Sequence, residues 1–238
     1  GNVRLYSFTA VEGWTFSDFW RRLGEHRAID KSFEVLDVTH LMRLLGVAES
    51  HPEGLFLPET YLFPKGTKDI EILKQAYVLM SNTLKDEWDQ RAIGSPISTP
   101  YEALILASII EKETALADER PIIGGVFVRR LNAGMRLQTD PTVIYGLGQD
   151  FDGNLTRKHL RADTPYNTYT RHGLPPTPIA LPGRASIRAA LQPADGSSLY
   201  FVATGKEDGS HKFSDTKEEH DQAVREYLER TRGNWEKK

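Results

Sequence analysis

The chain has 238 residues, 39% hydrophobic and 26% charged, a globular balance long enough to bury a sizeable core. A net charge of −3 and a pI near 6.2 argue against a nucleic-acid binder, which needs a basic face, but leave a polysaccharide open. The absence of cysteine excludes disulfide frameworks, thiolate nucleophiles and thiolate-held metals, and suits an oxidising compartment.

Residues 3–11 are rich in strand formers and predict a strand, broken at Glu12-Gly13. Thr15 has Asp18 three residues on, the capping-box spacing, and Phe16, Phe19, Trp20 and Leu23 give the stripe of a helix ending near Gly24. A second helix is expected over 33–45, stopped by Gly46. GLFLPETYLFPKG (54–66) carries two prolines and two glycines and reads as extended or looped. Residues 69–92 predict a long amphipathic helix with Ile70, Leu73, Ala76, Tyr77, Met80 and Leu84 at helical spacing. The polar stretch 94–100 is a candidate subdomain boundary.

From there the signals thicken. Residues 101–114 predict the most apolar helix, with Thr99 as cap and Pro100 at its first position. Its run 103–110 is far too short to cross a bilayer. No signal peptide is visible, and a start at Gly1 reads as an excised fragment. A helix is expected over 119–132, closed by Gly134, and irregular chain over 135–152. Residues 164–182, rich in Pro, Thr, Tyr and Gly, predict a long ordered loop, a feature that usually carries function. A short helix over 185–191, a hairpin from 198–204 and 211–214, and a charged helix over 216–232 complete the chain.

ALILASIIEKET places two glutamates at the end of the most apolar helix. On a helical wheel of about 100° per residue, Glu113 lies within about 20° of the mean apolar direction, and Glu111 nearly opposite. A carboxyl on an apolar face is desolvated, which raises its pKa toward what a general acid needs. The plainer alternative is a helix-terminal glutamate bent to solvent, or paired with Arg120 or Arg136. The seven histidines form no metal-ligand spacing such as HExxH, and there is no phosphate-cradling glycine motif and no GxSxG elbow. Arg129-Arg130 and Arg157-Lys158 read as solvated charges.

ASIIEKET (107–114) and ERPIIGGVFVRRLNAGMRLQTDPTVIYGLG (119–148) resemble the endolytic MltG (YceG-like) family of bacterial cell-wall lytic transglycosylases. So do YNTYTRHGLPPTPIALPG (166–183), LYFVATG (199–205), HKF (211–213) and, upstream, GLFLPETYLFP (54–64). The blocks run in order over nearly the whole chain. The long ones together are highly specific; the short ones alone are only suggestive. The family's catalytic glutamate is the second of the EKE pair, which falls on Glu113, the residue the wheel also selects.

The resemblance implies cleavage of the β-1,4 bond between N-acetylmuramic acid and N-acetylglucosamine in peptidoglycan strands, leaving 1,6-anhydromuramic ends, with no cofactor or metal. It implies a parent protein held in the bacterial inner membrane by one N-terminal helix, with this part facing the periplasm. It suggests cell-wall synthases as partners. Residues 1–12 are then the end of a LysM-like region, 13–96 a mainly helical subdomain and 97–238 the catalytic domain. The fold class expected is α+β, the catalytic domain carrying a small antiparallel sheet. Ordinary glycosidases use two carboxylates; no second acid has comparable support here. One suffices if the muramic C6 hydroxyl is the nucleophile. Gln138, Thr139, Asp140, Tyr145, Tyr166, Asn167, Thr168 and Tyr169 are suitable glycan contacts, with Gln138 and Asn167 favoured. His211 and Phe213 alternate on one strand and point the same way. The competing functions are a non-catalytic peptidoglycan-binding scaffold and a hydrolase making reducing ends.

Overall fold

A computed structural model describes residues 4–32, 37–47, 49 and 51–235. It is an α+β structure in which helices carry most of the core and three two-stranded ladders tie distant segments together.

β1 (Leu5–Thr9) pairs antiparallel with β3 (Thr60–Pro64), Phe8 opposite Tyr61 and Tyr6 opposite Phe63. Strand alternation sends these aromatics inward and leaves Leu5 and Leu62 outside. α1 (Phe16–Gly24) starts at the expected capping box, Thr15 with Asp18, and stacks Phe16 and Phe19 on Phe56 at 5.1 and 5.9 Å. β2 (Ile29–Asp30) runs parallel to β4 (Thr67–Lys68). α2 (Val38–Leu45) begins later than the apolar pattern suggests. Asp37 accepts the His40 N–H at 2.9 Å and so caps the helix there, while 33–36 lie outside the described residues. The left-handed Gly46 closes it as expected.

α3 (Asp69–Trp88) buries Ile72, Leu73, Ala76 and Met80. It was expected to reach residue 92. It stops short because the Ala92 N–H turns away to the carbonyl of Leu191, at 2.8 Å.

α4 (Pro100–Glu113) opens with a Thr99–Glu102 capping box and Pro100, and Ala103 through Ile110 are all buried. It is the central helix. Packed against it are α5 (Arg120–Asn132, preceded by a 3-10 turn), α6 (Asp140–Leu147) and α8 (Arg184–Leu191). At Gly124 an added Cβ would meet the Ala189 carbonyl oxygen at 2.3 Å, so α5 and α8 cross at a distance only glycine allows. Glu87 on α3, wholly buried, receives Arg184 and Arg188 from α8.

α6 corrects the expectation of irregular chain over 135–152. Its glycines suggested a loop, but Asp140-Pro141 starts a helix, and Gly146 sits inside it because an added Cβ would lie 2.9 Å from Tyr166 Cβ. A short helix, α7 (Arg157–Arg161), capped by Thr156, was likewise not foreseen. Residues 164–182 hold no helix or strand, as anticipated. The hairpin of β5 (Tyr200–Ala203) and β6 (His211–Ser214) forms in the register Tyr200↔Ser214 to Ala203↔His211, and α9 (Lys217–Trp235) packs on it. Buried side chains on both sides of residue 96 belong to one continuous apolar cluster.

Candidate active site

α4 ends at Glu113 because Thr114 turns extended, its hydroxyl donating to Glu119 Oε2 at 3.2 Å. Glu113 is thus delivered by the most buried helix to the edge of the core. The Thr139 hydroxyl donates to Glu113 Oε1. Thr139 is itself fixed from behind. Its N–H and that of Gln138 donate to the Thr168 hydroxyl and carbonyl at 3.1 and 3.2 Å, and Thr142 bonds both Thr139 and Thr168. Gln138 takes φ +53°, a left-handed conformation unusual for a residue with a side chain, at the turn that presents Thr139.

The two glutamates of the EKE run differ in their partners. Glu111 was read as facing away from the core, but its side chain is only 4% exposed. It accepts from Arg120 at 3.2 Å and from the Gly183 N–H at 2.9 Å. Arg120 therefore serves Glu111, and among the described residues Glu113 has no ion pair. Burial pushes the Glu113 carboxyl up to about 7; the neighbouring Asp140 charge adds to this, while the Thr139 bond, His211 and Arg130 pull it down.

Glu113 lines a cavity of about 440 Å³ together with Arg130, Leu137, Gln138, Thr139, Asp140, Tyr169, Tyr200, Phe201, Val202, Lys217 and His220. A cavity of similar size, about 430 Å³ around residues 88–98, is lined by no carboxylate, and one of about 410 Å³ is lined by Asp215 and Glu219, both exposed, with Asp215 held low by Ser197 and Ser198; of these three cavities only that of Glu113 holds a carboxyl raised by burial. Tyr169 donates its hydroxyl to Asp140 at 2.6 Å, and burial raises the Tyr169 pKa.

Of the residues selected from sequence, Glu113, Gln138, Thr139, Asp140 and Tyr169 are brought together. The others are not among those lining this cavity. Asn167 is fully buried, its amide nitrogen bonded to the carbonyls of His159, Leu160 and Ala162; it organises the loop instead of facing a ligand. Thr168 is the clamp behind Thr139. Tyr145 donates to Glu53 at 3.1 Å, and Tyr166 shares a hydrogen bond with Thr177. Phe213 packs on Phe201. His211 also meets Phe201, on the same hairpin face as Phe213, and is held by Glu119 through Nδ1 and its own N–H, both at 2.7 Å.

Arg130, read as a solvated charge, is a correction: it is 7% exposed, because its guanidinium lies against carbonyls, not water. Tyr200, Lys217 and His220 were missed altogether. The 217/220 pair has the i, i+3 spacing that shares a helix face, a signal nothing local distinguishes from an ordinary charged helix. Glu53 was also missed. It is 3% exposed, raised by burial to about 7, and accepts the Phe16 N–H at 2.8 Å, outside the cavity.

The cleft brings a carboxyl raised toward neutrality together with polar and aromatic side chains, the kind of group that general-acid chemistry uses. The YceG-like family model matches residues 1–226, and the chain belongs to that family. It is 37% identical over 179 residues to an endolytic murein transglycosylase of Bacillus subtilis (strain 168), covering 75% of this chain and 49% of that one. To an endolytic murein transglycosylase of Streptococcus pneumoniae serotype 2 (strain D39) it is 31% identical over 180 residues, covering 74% and 32%. The chain thus spans from about a third to half the length of these relatives. A crystal structure of a yceG-like protein of Listeria monocytogenes superposes with a TM-score of 0.74 at 31% identity, covering 91% of this chain and 75% of that one.

Proposed function

We propose that the chain is the catalytic part of an endolytic murein transglycosylase in which Glu113 is the sole acid and base. The observation that carries this is the Glu113 carboxyl, raised to about 7 and without an ion pair among the described residues, in a cleft of about 440 Å³. Protonated Glu113 gives its proton to the departing glycosidic oxygen as the muramic C1–O bond breaks. The muramic C6 hydroxyl oxygen bonds to C1 and closes the 1,6-anhydro ring, and its proton passes to the Glu113 carboxylate, restoring the acid. Thr139 orients the carboxyl, and Gln138, Asp140, Tyr169 and Tyr200 supply hydrogen bonds and aromatic faces to the sugars. Residues 97–238 hold these groups, 13–96 buttress them, and 1–12 complete a preceding LysM-like region. A site outside the cytoplasm, with a single-pass inner-membrane anchor in the parent protein and cell-wall synthases as neighbours, belongs to the same proposal. Among the described residues no helix is long and apolar enough to cross a membrane.

Glu113→Gln is expected to keep the fold and glycan binding and to abolish anhydro-ended products on mass spectrometry of digested peptidoglycan. An active Gln variant sinks the assignment. Reducing ends from the unaltered chain would mark a hydrolase, and no cleavage at all a binding scaffold.

A further inference from the structure

Arg130 reaches the cavity from α5 in an unusual state. Its Nε donates to the Leu199 carbonyl at 2.6 Å and its Nη1 to those of Arg136 and Leu137 at 3.2 and 2.7 Å. Its guanidinium lies over the Tyr200 ring, 5.1 Å from the centroid. Both hydrogens of Nη2 are left without an acceptor, and no carboxylate forms an ion pair with it, among the described residues. A buried guanidinium without a counter-ion is costly, and such groups normally close on a carboxylate. The two acids within the cavity do not serve. Asp140 is taken by the Tyr169 hydroxyl, and Glu113 is bonded to Thr139 and makes no ion pair with Arg130. Lys217 and His220 line the same cavity. Lys217 already pairs with Asp221, but His220, stacked on Tyr200 at 5.2 Å, has a buried Nδ1 with no partner. One wall of the cleft therefore holds a fixed cation with a free Nη2, beside an imidazole whose Nδ1 has no partner among the described residues.

We infer that this wall is a carboxylate subsite: Arg130 Nη2, flanked by Lys217 and His220, holds a carboxylate carried by the glycan strand as the strand lies across Glu113. The inference rests on the murein reading of the cleft. In such a strand the carboxylate has two sources. One is the lactyl ether of a muramic residue that has lost its peptide; the other is an acidic residue of an attached stem peptide.

The test uses the Glu113→Gln chain and three probes of equal glycan length, followed by calorimetry: a neutral chito-oligosaccharide, a peptide-free murein strand and a peptide-bearing murein strand. At least one murein strand should bind about tenfold more tightly than the neutral one, the scale of one charge-assisted hydrogen bond. Adding Arg130→Gln should erase that preference without weakening the neutral probe, and Arg130→Lys should keep part of it. The strand that loses affinity identifies the source of the carboxylate. An unchanged preference, or a parallel loss on all three probes, overturns the subsite. If Arg130→Gln does not fold, methyl esterification of the strand's carboxylates decides on the unaltered wall, where a preference that survives esterification overturns it equally. A failure of the Glu113 assignment appears separately, as anhydro-ended product in the same samples.

Discussion

Glu113, half-buried at the cavity, and Glu53, fully buried, are two carboxyls each raised to about 7, with separable consequences. Glu113 must be protonated to act as an acid, so cleavage should fall as pH rises through about 7. The Thr139 hydroxyl lowers that pKa by bonding the carboxylate. Thr139→Val should therefore move the alkaline fall to higher pH, and, by freeing the carboxyl to turn, reduce the rate about 10- to 100-fold. A pH–rate profile reads both effects. Glu53 bears on stability instead. Its folded pKa lies above the unfolded 4.5, so its contribution is intact below 4.5 and is lost as pH rises through about 7, at a cost of about 3 kcal/mol when fully ionised. Glu53→Gln should raise the melting temperature at pH 8, leave it nearly unchanged at pH 4, and not move the pH–rate fall. Equal melting temperatures at pH 8 would show that Glu53 ionises without penalty.

At the scale of elements, α4 is a shaft that must end in the right place, and its neighbours set where. α5 and α8 cross it and each other through Gly124, with the Ala189 carbonyl oxygen in the space a Cβ would occupy. Backbone cannot yield as a flexible side chain can, so Gly124→Ala should cost about 1–3 kcal/mol by overpacking. Urea unfolding measures this, and a change under about 0.5 kcal/mol, the usual range for a neutral surface substitution, would mean that the crossing relaxes freely. Some helix starts and stops with a local cause were legible in sequence: Thr15 with Asp18, the stop at Gly46, Thr99 with Pro100; the Asp37 and Thr156 caps, local as well, were passed over. Other boundaries were misread because the cause lay elsewhere in the fold. α3 ends early because Leu191 takes the Ala92 N–H, and α6 tolerates Gly146 because Tyr166 presses on it.

Over the whole molecule, the segments before and after residue 96 share their core. Glu87 on α3 anchors Arg184 and Arg188 on α8. The Leu181 N–H donates to the Trp14 carbonyl at 2.7 Å, and that of Gly13 to the Leu181 carbonyl at 3.0 Å. Removing residues 1–96 would uncover α4 and α8 and strip two arginines of a buried partner. The fragment 97–238 is therefore expected to show no cooperative thermal transition by circular dichroism, and one that melts sharply by itself would show the two parts to be independent.

Glu113 could be picked out from the sequence because burial of a helix face is written into the order of its apolar residues, which is a local property. The clamp of Thr168 on Thr139, the loop-holding role of Asn167 and the Arg130–Tyr200–His220 wall could not. The clamp and the wall join residues 29, 70 and 90 positions apart, and a side chain's partner across such a distance depends on how the helices pack; Asn167 reaches only 5 to 8 positions back, but which carbonyls there lack other partners is again set by the fold. An asparagine that feeds three carbonyls and one that faces a sugar are the same letter; only the tertiary structure, by deciding which backbone groups lack partners, tells them apart.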